Sequence, residues 1–180
     1  MTYTLVEATT YKQASPATIS DLHTALMQRM AIVADRYWGM TSKSAYPLNT
    51  RAPSIVDGWL PPKSGPEVEQ FPFIEIRPRS GEDSIEGADQ QAVAVFDLII
   101  GTYSDSDTGW HDVMILVDAI RDEVGSRPRL VGNVDGVDIQ TAFQHVGPLS
   151  WEIPAEQPRP QWFGVVTTRW SLPRPRRTGF

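Results

Sequence analysis

The sequence contains no cysteine. Disulfides, thiolate zinc sites, iron–sulfur clusters and cysteine nucleophiles are therefore all excluded. No apolar run approaches the roughly 18 residues of a membrane span, and no basic segment leads into an apolar one as in a secretory signal. We expect a soluble, cytoplasmic chain that folds without disulfides and has no membrane as a partner.

The sequence also lacks the motifs of common enzymes. It contains neither GxxxxGK[ST] nor GxGxxG after a strand, the two glycine patterns that bind phosphates. The GxSxG nucleophile elbow and the HExxH zinc motif are missing too. The three histidines, His23, His111 and His145, fall in different predicted elements. We therefore expect no catalytic residues and no cofactor.

One acidic cluster is the strongest argument for a metal. Its members are Asp105, Asp107, His111 and Asp112. Closely spaced carboxylates beside a histidine can bind a divalent cation, but acids at the start of a helix also cap it and complement its dipole. A second pair, Asp135 and Asp138, lies in a predicted turn, where aspartates bond their own backbone. Helix capping and turn formation account for both groups, so we expect no metal. A small metal-dependent enzyme stays open as an alternative.

The composition is that of one ordinary globular domain. The chain has 180 residues, of which 41% are hydrophobic and 21% charged. A domain of this length buries roughly 70% of the surface that its unfolded chain exposes, and no internal repeat divides it. The sequence predicts a single domain over residues 1–180.

Charge is distributed unevenly along this domain. All 22 acidic residues lie at or before Glu156 together with 11 lysines and arginines, which gives that part a net charge of −11. Residues 157–180 contain five arginines and no acid, which gives +5. The acidic body repels duplex DNA at long range, so a simple DNA-coating protein is excluded. The basic end can contact phosphate or an acidic protein.

The first predicted element is an amphipathic helix over about residues 16–37. Apolar residues recur there at steps of three and four, as in a helix that packs on a core. It can begin with Ser15 before Pro16 or with Thr18 and Asp21 as a capping box. Gly39 is expected to end it.

A second helix and several strands complete the pattern. We expect residues 104–107 to cap this helix, whose apolar stripe is Trp110, Val113, Met114, Val117, Ile120 and Val124. Alternation and β-branched residues predict strands over 71–77, 92–103, 137–143, 149–153 and 162–172. The polar connection 79–91 would join the first two as a long antiparallel hairpin. The order predicts an α+β domain whose antiparallel (mixed) sheet contains this hairpin, with two main helices packed on one face.

Two segments are predicted to be irregular. Residues 41–70 hold five prolines and two glycines, so we interpret them as an insertion that orders against a neighbour. Residues 173–180 are predicted to form a basic, flexible tail.

Six tryptophans divide into two groups. Trp38, Trp110 and Trp170 fall at helix or strand positions, where core packing is expected. The others lie near prolines at the borders of elements, where exposed aromatic rings anchor interfaces or stack on sugars; they are Trp59, Trp151 and Trp162.

The order of these segments carries a resemblance. The strand FPFIEIRP (71–78) is followed by a polar hairpin tip and the strand AVAVFDLIIGTYSDSD (92–107). That strand runs into the helix GWHDVMILVDAIRDEV (109–124), and the aromatic strand QWFGVVTTRWSLP (161–173) comes last. In this layout the chain resembles the tail terminator (tail-completion) proteins of long-tailed bacteriophages. The likeness covers about residues 71–173, with the first helix in support, and lies in layout rather than in an invariant motif.

The resemblance implies a non-enzymatic virion protein of the tail or neck that assembles in the host cytoplasm. Such proteins form a ring, usually a hexamer, on the head-proximal end of the tail tube, where they stop tube polymerisation and join tail to head. The implied partners are further copies of the chain, the tail tube protein and a head-completion or connector protein, with DNA only as passing cargo in the lumen.

Three segments can order on assembly: the proline-rich insertion, the hairpin tip and the tail. The candidate partner-interface residues that they supply are Trp59, Arg79, Glu82, Asp83, Arg174, Arg176 and Arg177. Another phage neck, head-completion or minor tail protein is the nearest alternative function. A ligand-binding module that uses the tryptophans is a more distant one.

Overall fold

The computed structural model describes residues 18–41, 52–60, 70–83, 92–134 and 137–172, and their side chains except those of 38–41, 132–134 and 137–142. In chain order the elements are α1 (Ile19–Thr41), β1 (Ser54–Asp57), β2 (Phe73–Asp83), β3 (Ala92–Tyr103), α2 (Trp110–Ser126), β4 (Arg129–Val134), β5 (Val137–His145), β6 (Ser150–Glu152) and β7 (Gln161–Leu172). The predicted tail 173–180, the predicted Ser15–Pro16 helix start and Asp135 lie outside the described residues.

The strands form one mixed sheet in the order β1-β2-β3-β7-β5-β4, with β6 also paired to β7. β1 runs parallel to β2, while the other pairings are antiparallel. β2 and β3 form the predicted long hairpin, and β3 pairs along its whole length with β7. The predicted α+β class with a mixed sheet is confirmed.

Both helices pack on one face of the sheet because the central strands alternate. On β3 every second residue from Ala92 to Ile100 is buried, and on β7 the buried set runs from Trp162 to Trp170. In a strand, alternate side chains share a face, so these residues form one apolar surface under the helices. Its largest fully buried side chains include Trp170, Phe96 and Phe143, together with Tyr37 from α1.

The start of α1 is a reciprocal capping box. The backbone N–H of Thr18 donates to the Asp21 carboxylate at 2.7 Å, and the backbone N–H of Asp21 donates to the Thr18 hydroxyl at 3.2 Å. This is the second of the two predicted helix starts. The predicted end was wrong, because α1 continues past Gly39 to Thr41.

Thr18→Ala is expected to lower the free energy of unfolding by about 1 kcal/mol, because it leaves an N–H of the first turn without its cap. Urea-induced unfolding followed by circular dichroism measures this. Thr24→Ala is the matched control, since Thr24 lies on the same helix and its hydroxyl only donates back to the Ser20 carbonyl. An equal loss in both variants would contradict the capping role.

Two strand predictions need correction. The insertion 41–70 is not wholly irregular, because residues 54–57 form β1 beside β2. β2 also runs on to Asp83 through a register shift between Pro78 and Ser80, into residues predicted to be a connection. In both places pairing with a distant strand provides backbone partners that local propensity does not reveal.

The predicted capping of α2 by residues 104–107 is also wrong. The N-cap is Gly109, without a side-chain hydrogen bond. Upstream, Ser104 and Ser106 hydroxyls accept backbone N–H groups of Ser106 and Thr108 and so stabilise the turn itself. Gly109 is required there because a Cβ at this position would collide with the indole nitrogen of Trp162.

No helix in the described ranges is both long enough and apolar enough to cross a membrane.

Candidate interaction surfaces

The described residues form a groove at the start of α1, which we call the Trp59 groove. It measures about 310 Å³ and is lined by Ile19, Ser20, His23, Asp57, Gly58, Trp59, Pro78 and Phe96. Such a volume lies at the small end of the range of ligand pockets. The chain bends at Gly58, whose φ of 73° favours glycine, and Trp59 follows it at the rim with 66% of its surface exposed.

A histidine and a carboxylate meet in this groove, but not as a catalytic triad. His23 Nε2 lies 3.2 Å from the Ile76 carbonyl oxygen and 3.5 Å from an Asp57 carboxylate oxygen. A triad needs the acid on one ring nitrogen and the nucleophile on the other, whereas here both contacts use Nε2. Ser20 lines the groove without a hydrogen bond to the imidazole among those described. The ring of His23 instead stacks on Phe96 at 5.9 Å between centroids.

The orientation of Trp59 is set by Arg77. The guanidinium of Arg77 lies 5.4 Å from the centroid of the Trp59 ring, a cation–π distance. Arg77 is itself held by an ion pair with the buried carboxylate of Glu75. One face of the indole is therefore covered from β2, and most of the ring still faces solvent.

The predicted hairpin residues lie on an open edge of β2. Residues 78–83 are all exposed, and within the described part of the chain only β3 pairs with them. Arg79 lies 3.4 Å from Asp97, whose carboxylate also accepts the Thr167 hydroxyl at 2.7 Å. Glu82 and Asp83 extend the edge with negative charge. Arg174, Arg176 and Arg177 lie outside the described residues.

The acidic cluster around residues 105–112 is dispersed by the fold. Asp107 forms an ion pair with Arg159, and Asp112 is buried at 3% exposure within α2. His111 is exposed and its ring lies 3.8 Å from that of Trp110. Among the residues that the structure describes, no group of three or more His, Asp or Glu side chains is arranged to hold a metal ion.

The exposure of two tryptophans differs from the prediction. Trp162 was predicted at a border where rings are exposed, yet it is buried at 5% exposure and donates to the Ser104 carbonyl at 3.0 Å. Trp110 was predicted in the core, yet it is 37% exposed. Trp151, at 47% exposure, stays an exposed candidate.

An apolar face of α2 was missed by the sequence analysis. Trp110, Met114 and Ile115 are each exposed by 36–38%, while Val113, Leu116 and Val117 are buried. The available signal was the run VMILV, which is apolar on every side of the helix. The sheet therefore covers only part of the apolar surface of α2, and Trp110, Met114 and Ile115 remain partly exposed.

A buried ion cluster joins the two helices. The Glu123 side chain is fully buried and accepts Arg29 Nη1 at 2.9 Å, with Arg36 at 2.9 Å and Arg127 at 3.3 Å from its oxygens. Burial alone would raise the pKa of this carboxyl. The hydrogen bond from Arg29 and the charges of Arg127 and Arg36 outweigh burial, so the pKa of Glu123 lies below its ordinary value.

The chain matches no protein-family model and no curated protein sequence. Solved structures of similar shape exist. One of them aligns with 88% of this chain and 97% of its own length, at 15% identity and a TM-score of 0.46. A likeness of that size carries no argument about function, so the assignment of the fold rests on the strand order and packing described above.

Proposed function

We propose that this protein is a structural virion protein that forms a ring at the head-proximal end of a phage tail tube. In this role it terminates tube polymerisation and joins tail to head. The partners are further copies of the chain, the tail tube protein and a head-completion or connector protein. The proposal originates in the resemblance of layout described above.

The observation that best supports this role is the open edge of β2. Of the strands that the structure describes, only β3 pairs with residues 78–83, and an exposed edge of this kind is a template for contact with another chain. Its charged side chains discourage uncontrolled pairing, which suits a specific neighbour rather than aggregation.

A second, different surface supports a ring rather than a two-fold dimer. The apolar face of α2, with Trp110, Met114 and Ile115, differs in chemistry from the charged edge of β2. A subunit that uses two different patches for its two neighbours forms heterologous contacts, and these give a ring where the rotation between neighbours closes. The net charge of −6 also suits a lumen through which DNA slides, since it provides few phosphate partners.

The proposal predicts that the protein caps growing tubes. Tubes polymerised from the cognate tail tube protein are expected to stop elongating when this protein is added at far fewer copies than tube subunits. Negative-stain images are expected to show extra density at one end, and light scattering coupled to size exclusion a closed ring near six subunits. Tubes that keep growing at saturating protein would contradict the function.

A matched pair of variants tests whether the apolar face takes part. Trp110→Ser with Met114→Ser removes exposed apolar surface, whereas Ile32→Ser removes an exposed apolar side chain of α1, 47% exposed. Loss of capping is expected only in the first variant, with both proteins folded by circular dichroism.

A further inference from the structure

The Trp59 groove combines three chemical features. Trp59 provides a flat aromatic wall, Pro78 and Ile19 provide exposed apolar side chains, and Asp57 provides a carboxylate that is 74% exposed. Aromatic-lined grooves of this kind bind proline-rich segments, because a polyproline II helix is already extended and loses little entropy on binding. A carboxylate at the rim selects segments that also carry arginine.

We propose that the Trp59 groove binds the proline–arginine segment PRPRR, residues 173–177, of a second copy of this chain. Its prolines pack against Trp59, Pro78 and Ile19, and one of its arginines pairs with Asp57. The segment fits by charge, because residues 157–180 carry +5 and the remainder of the chain −11. Arg77 beside Trp59 does not oppose it strongly, since Glu75 balances the charge of Arg77.

The segment after Leu172 is too short for these prolines to reach the groove of their own copy. β7 ends at Leu172, which pairs with Ala92, whereas the exposed walls of the groove are Pro78, which pairs with Phe96, and Trp59. Strand spacings place Leu172 roughly 17 Å from Pro78 and roughly 20 Å from Trp59. Pro175, three residues after Leu172, reaches at most about 11 Å. The prolines can therefore dock only on a neighbour.

The contact joins a tail of one copy to a groove of the next, so it is heterologous and can propagate around a ring. In this sense it rests on the proposed function, although binding of the segment is measured without tail tubes.

The test is a titration of a fluorescently labelled peptide of residues 171–180, SLPRPRRTGF, with the full-length protein. The titrated protein carries Arg174→Glu and Arg176→Glu, so that its tail does not compete with the peptide. We expect the fluorescence anisotropy of the peptide to rise to a plateau, and the binding to be weaker at high salt. Trp59→Ala in the titrated protein is expected to weaken binding at least about tenfold, as for a central aromatic anchor, and Asp57→Asn to weaken it less.

Matched controls separate the groove from general attraction between charges. Trp151→Ala removes another exposed tryptophan and is expected to leave the affinity unchanged. A peptide with both prolines replaced by alanine keeps every arginine and is expected to bind more weakly. The proposal is overturned if Trp59→Ala and Trp151→Ala change the affinity for the peptide equally. It is also overturned if the peptide does not bind, which is the result expected if residues 1–17 of the same chain occupy the groove.

A mixing experiment tests the head-to-tail arrangement. Protein with Trp59→Ala keeps its tail, and protein with Arg174→Glu and Arg176→Glu keeps its groove. If the contact is heterologous, sedimentation of an equimolar mixture shows one-to-one complexes that neither variant forms alone. A mixture that stays monomeric at concentrations above the peptide Kd overturns it. If the peptide binds but the protein does not cap tubes, the contact between tail and groove stands and the proposed function is rejected. If the Trp59→Ala variant caps tubes as well as the wild type, the proposed function stands and the contact is rejected.

Discussion

Glu123→Ala is expected to lower the free energy of unfolding by about 3–5 kcal/mol, as measured by urea-induced unfolding. Removing one partner of a buried ion pair leaves the others uncompensated. Here the loss leaves Arg29, which is 17% exposed, without its carboxylate partner. It also removes two of the ion pairs between α1 and α2, and of those described only the more exposed pair of Arg36 with Asp122 remains.

Asp118→Ala is the control for this prediction. Asp118 lies on the same helix and pairs with Arg121 at 2.7 Å, but both side chains are more than half exposed. Exposed pairs contribute at most about 1 kcal/mol. Similar losses in the two variants would show that the Glu123 cluster does not stabilise the fold.

The same carboxylate gives the fold a dependence on pH. The pKa of Glu123 is lower in the folded than in the unfolded chain, so its contribution is complete above the unfolded pKa, about 4.3 for glutamate. It is lost as the pH falls from there through the lower, folded pKa. Glu123→Gln is therefore expected to differ most from the wild type near neutral pH, with the gap narrowing in acid.

Trp162→Ala is expected to cost about 3–5 kcal/mol, the range for removing a large buried aromatic side chain. Trp162 is buried against the turn that enters α2, and its indole N–H donates to the Ser104 carbonyl. The substitution opens a cavity beneath Gly109 and leaves that carbonyl without its partner. Circular dichroism in urea is the measurement, because fluorescence would change with the tryptophan itself.

Two further variants separate the contribution of the indole hydrogen bond from that of the buried volume, and compare Trp162 with an exposed tryptophan. Trp162→Phe keeps most of the volume and removes the donor, so a loss of about 1–2 kcal/mol is expected. Trp151→Ala, with Trp151 half exposed on β6, is expected to cost less than about 1 kcal/mol. A Trp162→Ala variant as stable as Trp151→Ala would mean that the indole does not anchor the start of α2.

The strands with strong local patterns were predictable from the sequence. β3 was predicted over 92–103 and occupies Ala92–Tyr103, while β7 begins one residue before its predicted start. Both are twelve residues long and rich in β-branched and aromatic residues. β1 was not predictable, because a four-residue strand among prolines exists only through its partner β2.

The surfaces were less predictable than the fold. α2 is apolar on several sides, so its sequence alone does not show that Leu116 faces the sheet while Met114 faces solvent. The Glu123 cluster depends on Arg29, 94 residues away in the chain. Trp59 is exposed beside a groove, and its role at an interface stays a prediction, as do those of Glu82 and Asp83.

The place of β7 has a consequence for how the chain is made. β7 is the last of the described strands along the chain, yet it lies in the interior of the sheet, between β3 on one side and β5 and β6 on the other. During synthesis the earlier strands emerge without the strand that joins them, and exposed strand edges at that stage favour misassembly. A fragment that stops before Gln161 lacks the centre of the sheet rather than its rim. Each copy can therefore complete its sheet only after Gln161–Leu172 has been synthesised.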